Sequence, residues 1–178
     1  TYFLEVIDKA IPSGVSENLL LLLLLKSLQK LVKSENKELV SSTFIIKLIS
    51  LLGYFPNLKN CVYCGDENAK YICDEGLLCE RCLKKEIPFI KVSPPTIEAL
   101  IYIDKTSIDN VFNYNLTLKY LKELGRIGYF LVYINFGKEI KSYEFLKNLC
   151  WQIKKIVLYY GYGNWIFSSG IGVIPYRW

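Results

Sequence analysis

The chain contains no histidine and no methionine. Without histidine it cannot form a Ser-His-Asp or Cys-His catalytic group, and no imidazole is available as a metal ligand. The first residue is Thr1, whereas a cytosolic gene product should begin with methionine, so we expect a fragment of a longer protein or a processed one. The N-terminus also lacks the basic segment and the cleavage site of a secretory signal peptide.

The chain also has only a small excess of positive over negative side chains. The 178-residue chain has a formal net charge of +5, and three of these charges come from Lys154, Lys155 and Arg177 in the last segment. A surface built to bind phosphates should show a larger excess over the rest of the chain. The length and a hydrophobic fraction of 52% predict one folded domain, or one domain with a small module.

Hydrophobic residues recur at helical spacing over most of the chain. The spacing predicts helices over about 2–11, 17–33, 37–52 and 114–135, a helix that starts after Ser93, and a short one capped by Ser142. The second of these contains seven consecutive leucines, which are too few to span a bilayer. Because this helix is apolar all round, we expect it to lie at the buried centre of a helical bundle.

The composition changes after residue 150, where all three tryptophans are found. Residues 156–176 contain no charge and are long enough to span a bilayer, but their glycines and Pro175 make a poor spanning helix. We therefore favour a strand-like or poorly ordered tail over membrane contact.

Five of the six cysteines lie between residues 61 and 82. Two C-x₂-C pairs, Cys61 with Cys64 and Cys79 with Cys82, are separated by 14 residues. Each pair forms a turn in which two thiolates converge, and two such turns supply the four ligands that Zn²⁺ prefers. We predict a zinc site of these four residues; disulfides or buried free thiols are the alternatives. Cys73 is interpreted as a bystander thiol, with replacement of one ligand as the other possibility.

Four thiolates close the tetrahedral coordination sphere and leave no position for water or a substrate, which predicts structural zinc, no catalytic residue and no small-molecule substrate. Residues 59–91 hold equal numbers of basic and acidic side chains, so a bound zinc with four thiolates would make the module net negative. The predicted fold is mostly α: a helical bundle of 1–56 and 91–148, an inserted four-cysteine zinc module at 57–90, and a tail of unknown structure at 149–178.

Four segments carry a family resemblance: Tyr2-Phe3-Leu4-Glu5, residues 51–58 leading into Cys61-x₂-Cys64-Gly65, Gly76-Leu77-Leu78-Cys79, and residues 137–146. In combination they resemble the C-terminal part of the bacterial recombination mediator RecO, a helical domain with an inserted zinc module. The resemblance covers about 1–147. The N-terminal OB-fold of that family has no counterpart here, and the tail from about 149 matches nothing in the family.

The resemblance implies a non-enzymatic role in DNA recombination and repair, in the cytoplasm of a bacterium and associated with the nucleoid. RecO-like proteins bind single-stranded DNA and the acidic C-terminal tail of single-stranded-DNA-binding protein. They work with RecR to help load RecA, and they anneal complementary strands. Without the OB-fold, we expect this chain to bind single-stranded DNA weakly. The alternatives are a zinc-stabilised nucleic-acid-binding domain of another DNA or RNA factor and a protein anchored in a membrane.

An acidic peptide that ends in an aromatic residue needs an apolar slot with cationic edges. Residues 113–149 hold six basic and three acidic side chains, a local balance of +3. This surface, beside Tyr129, Phe130 and Tyr133, is the candidate docking surface; an ordinary solvated helix face is the alternative. The candidate residues for binding a partner or a phosphate are Lys119, Lys122, Arg126, Lys138 and Lys141.

Overall fold

The fold is mostly helical, as predicted, in a computed structural model that describes residues 3–5, 7, 17–84, 86–136, 157–159 and 164–166. Residues 3–5 and 7 are helical. Four longer helices follow within the described residues: α1 (Glu17–Lys33), α2 (Lys37–Leu51), α3 (Pro94–Lys105) and α4 (Leu118–Phe136). Helix α4 begins four residues later than its hydrophobic spacing predicts. The helix predicted from Ser142 lies outside the described residues.

Helix α2 forms the centre of the core. Every residue from Leu39 to Ile49 is buried, because mostly apolar side chains cover all sides of the helix and α1, α3 and α4 pack against it. The helix begins at Asn36, whose side chain accepts a hydrogen bond of 3.1 Å from the Leu39 amide. Beyond its end, Gly53 has a φ of +81°, the left-handed conformation that commonly ends a helix.

The leucine-rich helix α1 is not the buried centre, and that prediction is wrong. Leu20 and Leu23 are buried against the core, but Leu21, Leu25 and Val32 are 55%, 56% and 88% exposed. Seven consecutive leucines cover every side of a helix, yet α1 packs with only its inner side against α2. Composition alone does not specify how many neighbours a helix has.

Helices α2 and α4 run in the same direction. Three pairs of residues lie close together along their length: Glu38 with Lys122, Ile45 with Gly128, and Tyr54 with Phe136, whose ring centroids are 5.3 Å apart. Both residue numbers rise together, which happens only if the helices are parallel. Gly128 permits the close approach, since a Cβ there would lie 3.1 Å from Ile45 Cγ2.

A small four-stranded sheet lies in the connection between α2 and α3, and the sequence did not predict it. Its strands are β1 (Asn57–Cys61), β2 (Tyr71–Ile72), β3 (Gly76–Leu78) and β4 (Ile90–Lys91), in the order β1-β3-β2-β4. β1 pairs with β3 in parallel, and the other pairs are antiparallel. Three of these strands have only two or three residues, too few to show an alternating pattern, and the five residues of β1 do not alternate in burial.

Two short strands in the tail, β5 (Val157–Tyr159) and β6 (Asn164–Ile166), pair in antiparallel fashion. The rest of 137–178, including Cys150, lies outside the described residues. Among the residues that are described, no helix has the length and hydropathy needed to cross a membrane.

Glu123 joins the start of α3 to α4. Glu123 is 8% exposed, and its carboxylate accepts hydrogen bonds of 2.6 Å from both the backbone amide and the hydroxyl of Ser93. Ser93 precedes α3, where helix amides lack partners within the helix. A serine directly before a helix commonly caps it with its own side chain. In the structure Ser93 Oγ makes no capping bond and donates to Glu123 instead, so a carboxylate from α4 holds this helix end.

We expect Glu123→Ala to lower the free energy of unfolding by about 2–4 kcal/mol, because two charge-assisted hydrogen bonds are lost in a buried site. Glu123→Gln should lose about half as much, since its amide oxygen still accepts one bond. Urea unfolding followed by circular dichroism measures both. Glu98→Ala, an exposed carboxylate on α3, is the control and should change stability by less than about 0.5 kcal/mol. Equal losses for Glu123→Ala and Glu98→Ala would contradict this role of Glu123.

Candidate metal centre

The parallel pairing of β1 and β3 places the two cysteine pairs side by side. Cys61 is the last residue of β1, and Cys64 lies in the turn that follows it. Cys79 directly follows β3, and Cys82 closes the single 3₁₀ turn Glu80–Cys82. Because both strands end at the same edge of the sheet, both turns project their sulfurs toward the same point.

The four sulfurs meet at distances that suit a metal ion. All four Sγ atoms lie within 4.8 Å of one another, and those of Cys64 and Cys79 are 3.6 Å apart. A tetrahedral zinc with Zn–S bonds of about 2.3 Å requires sulfurs about 3.8 Å apart, whereas a disulfide requires about 2.05 Å. All five described cysteines are free. The cluster therefore has the geometry of a metal site and not of two disulfides.

The thiols of the cluster do not ionise alike. Burial opposes ionisation of Cys61, but hydrogen bonds from the backbone of Cys79, Cys64 and Tyr63 and from the Cys64 thiol outweigh it and lower the pKa of Cys61 to about 6. Hydrogen bonding to Cys64 together with burial raises the pKa of Cys82 to about 12. A first thiolate thus forms easily and the last one does not, unless a divalent cation offsets the accumulated negative charge.

Cys73 lies outside the four-sulfur cluster, as the bystander interpretation requires. It is fully buried, and its thiol donates to the carbonyl oxygen of Gly76 at 3.3 Å. Burial raises the pKa of this thiol, which keeps it protonated near neutral pH. The two halves of the module are also joined by an ion pair of 2.9 Å between Arg81 and Asp66.

The structure brings three of the five candidate partner-binding residues together on α4. Lys119, Lys122 and Arg126 follow one another at steps of three and four along one side of the helix, and we call them the cation row. Lys119 is exposed and the other two are half-buried. Lys138 and Lys141 lie outside the described residues.

One aromatic neighbour proposed for this surface is a core residue. Phe130 is 1% exposed, so it cannot contact a partner, whereas Tyr133 is 36% exposed. The error arises because the two residues are three positions apart and the sequence does not show where the buried side of α4 ends. Glu38 of α2, whose carboxyl group feels the positive charge of Lys122, was missed altogether. No local pattern connects it to a residue 84 positions away.

Gly76 is required where β1 and β3 meet. It has a φ of +154°, and a Cβ at this position would collide with the backbone carbonyl oxygen of Asn57 in β1. Gly65 also has a positive φ, of +74°, but nothing lies within 4 Å of the position of its Cβ. An added side chain would therefore meet only backbone strain at Gly65, whereas at Gly76 it would also collide with a neighbouring strand.

We expect Gly65→Ala to cost about 1–2 kcal/mol of folding stability, from the left-handed conformation alone. Gly76→Ala should cost at least about 2 kcal/mol more, because the collision forces β1 away from β3. Thermal unfolding of both variants under reducing conditions tests this difference. If the two variants melt together, the β1–β3 contact does not determine the position of the cysteine pairs.

A model of the family described as "Recombination protein O C terminal" matches residues 1–144. The chain is also similar to curated proteins named DNA repair protein RecO. It is 28% identical over 153 residues to that of Acetivibrio thermocellus, covering 83% of this chain and 61% of the relative. It is 31% identical to that of a Thermoanaerobacter species (84% and 62%) and 25% identical to that of Bacillus subtilis (83% and 59%). The chain thus spans about three fifths of the length of these relatives.

Proposed function

The chain belongs to the recombination protein O family, and on this premise we propose that it is part of a non-enzymatic mediator of DNA recombination and repair. The match of the family model to residues 1–144 is the observation that carries the proposal. It also removes the alternative of a zinc module from an unrelated DNA or RNA factor, because the match includes the helices on both sides of the cysteines.

Within this proposal, Cys61, Cys64, Cys79 and Cys82 hold one structural Zn²⁺. The ion would neutralise the thiolates and fix the two turns to each other, and four sulfur ligands leave it no open position for chemistry. Residues 57–90 then form a zinc-held module between two parts of a helical bundle, 1–56 and 91–148. The gathering of four sulfurs at one edge of the sheet supports this division.

We expect one zinc per chain by elemental analysis of protein purified under reducing conditions. Cys61→Ser and Cys79→Ser should each lose most of the metal and lower the melting temperature, because the apo cluster cannot keep its thiolates together. Cys73→Ser is the matched control in the same module, and it should retain the zinc. A chain that binds no zinc, or a Cys73→Ser variant that loses as much as Cys61→Ser, would count against this ligand set.

The cation row supports a second part of the proposal, the binding of the acidic C-terminal tail of single-stranded-DNA-binding protein. Lys122 and Arg126 are half-buried, so they would meet a carboxylate with less screening by water than fully exposed lysines do. Tyr133, two turns beyond Arg126 on α4, offers an exposed aromatic ring for an aromatic end of the peptide.

Holding this tail would keep single-stranded DNA that is covered by single-stranded-DNA-binding protein close to this chain. RecR could then join the complex, RecA could be loaded, and complementary strands could be annealed. Two cations of the zinc module are already engaged: Arg81 is paired with Asp66, and Lys84 lies over the Tyr63 ring, 5.3 Å from its centroid. We therefore assign to this chain the docking step, with weak binding of single-stranded DNA.

A fluorescently labelled acidic tail peptide should bind the full chain with saturation, and its affinity should fall as salt increases. Lys122→Ala and Arg126→Ala should each weaken binding about tenfold, which corresponds to about 1.4 kcal/mol. Lys105→Ala, an exposed lysine at the end of α3, is the control for net charge. Absence of saturation up to millimolar peptide, or an equal loss for Lys105→Ala, would argue against the cation row as the docking site.

A further inference from the structure

The solvent-facing side of α1 carries a row of residues that follow one another at alternating steps of three and four. We call this row the α1 seam: Asn18, Leu21, Leu25, Leu28 and Val32. Every residue of the seam is exposed. Leu20, Leu23 and Ser27, on the opposite side of the helix, are buried. The seam therefore faces away from the core along the length of α1.

Alternating steps of three and four are the spacing of a coiled-coil heptad, in which the first and fourth positions, a and d, face a second helix. A step of three leads from a to d and a step of four from d to the next a. Asn18, Leu25 and Val32 therefore occupy a positions. Leu21 and Leu28 occupy d positions. Leucine at d with a β-branched residue at a favours two parallel strands, and a single asparagine at a fixes their register.

We propose that two copies of this chain associate through the α1 seam as a parallel pair of helices. Each seam residue then meets its own counterpart, so apolar side chains form layers from which water is excluded. The two Asn18 side chains face each other, and each amide supplies both a donor and an acceptor to the other. Because the seam lies opposite the buried side of α1, the two folded bodies extend to opposite sides of the pair.

A second copy fits this surface better than a lipid bilayer does. A helix that lies on a membrane has an apolar side for the lipid and a charged side that remains in water. The other side of α1 is buried in the protein, the seam includes the polar Asn18, and Lys26 beside it is paired with Asp109 at 2.7 Å. The seam is complementary to itself, so membrane contact is an outcome of the test and not the proposal.

The strength of this pairing follows from the length of α1 and from its being folded in advance. Short isolated coiled coils are unstable because their helices must form on pairing, whereas α1 is already held by the core. Its 17 residues span about 25 Å, which gives an interface at the small end of those between proteins. We therefore expect a reversible dimer with a dissociation constant in the micromolar range. This self-association is independent of the docking function.

Sedimentation velocity of the full chain, loaded with zinc and reduced, should show the mass rising from one chain to two with concentration. Leu25→Lys and Val32→Lys should each weaken dimerisation at least about tenfold, because two ammonium groups would face each other in an apolar layer. Leu118→Lys on α4 is the matched control, since Leu118 and Leu25 are both 56% exposed. It should dimerise like the unaltered chain. All three variants should keep the melting temperature, because the replaced side chains lie outside the core.

A photoreactive benzoylphenylalanine in place of Leu21 tests the orientation. In a parallel pair it should cross-link to residues 18–25 of the second copy, as mapped by mass spectrometry of the cross-linked peptides. Cross-links to residues 28–35 would overturn the parallel arrangement.

Three further outcomes would overturn the role of the α1 seam. The first is a chain that stays monomeric at every concentration. The second is a dimer that Leu25→Lys weakens no more than Leu118→Lys does, or open-ended association beyond two copies, because a closed pair covers the seam completely. The third is a monomer that binds phosphatidylglycerol vesicles and loses this binding with Leu25→Lys, which would assign the seam to a membrane surface.

Discussion

Burial of α2 on all sides is the constraint from which the rest of the architecture follows. A helix with apolar side chains on every side needs neighbours all round, and α1, α3 and α4 provide them. Because α4 runs parallel to α2, the chain must return to the starting end between them. That return contains the four-stranded sheet with its cysteines, and then α3. The position of the candidate metal centre is thus a consequence of how the central helix is covered.

The sheet and the helices are joined by specific bonds and not only by chain continuity. Strand β4 leads directly to Ser93, where Glu123 of α4 accepts two hydrogen bonds. At the other end of α3, the buried ammonium of Lys47 on α2 donates to the Asp104 carbonyl at 2.8 Å. A charged side chain from a core helix therefore holds each end of α3. These bonds fix the return segment, and so the cysteines, relative to α2 and α4.

Features that depend on neighbouring residues could be predicted from the sequence, and features that depend on distant residues could not. The limits of α1 and the end of α2 at Gly53 follow from local spacing and turn chemistry. The two cysteine pairs are local as well, which is why their convergence could be expected. The exposed side of α1 and the parallel contact of α2 with α4 at Gly128 depend on which helices pack together. The parallel strands β1 and β3 are likewise neighbours in the sheet although β2 lies between them in the sequence. No short sequence pattern predicts such a pairing.

The outer side of α1 has a further consequence for the behaviour of the chain in solution. Leu21, Leu25, Leu28 and Val32 lie along one line of the helix and are exposed. Complete burial of a fully exposed leucine or valine side chain is worth about 1.5–3 kcal/mol, so these partly exposed ones forgo part of that gain. Contiguous apolar patches of this kind favour association between molecules. This patch therefore favours association of the purified chain, and the modest net charge opposes such association only weakly. Polar residues can replace these four side chains without disturbing the core, because none of them reaches it.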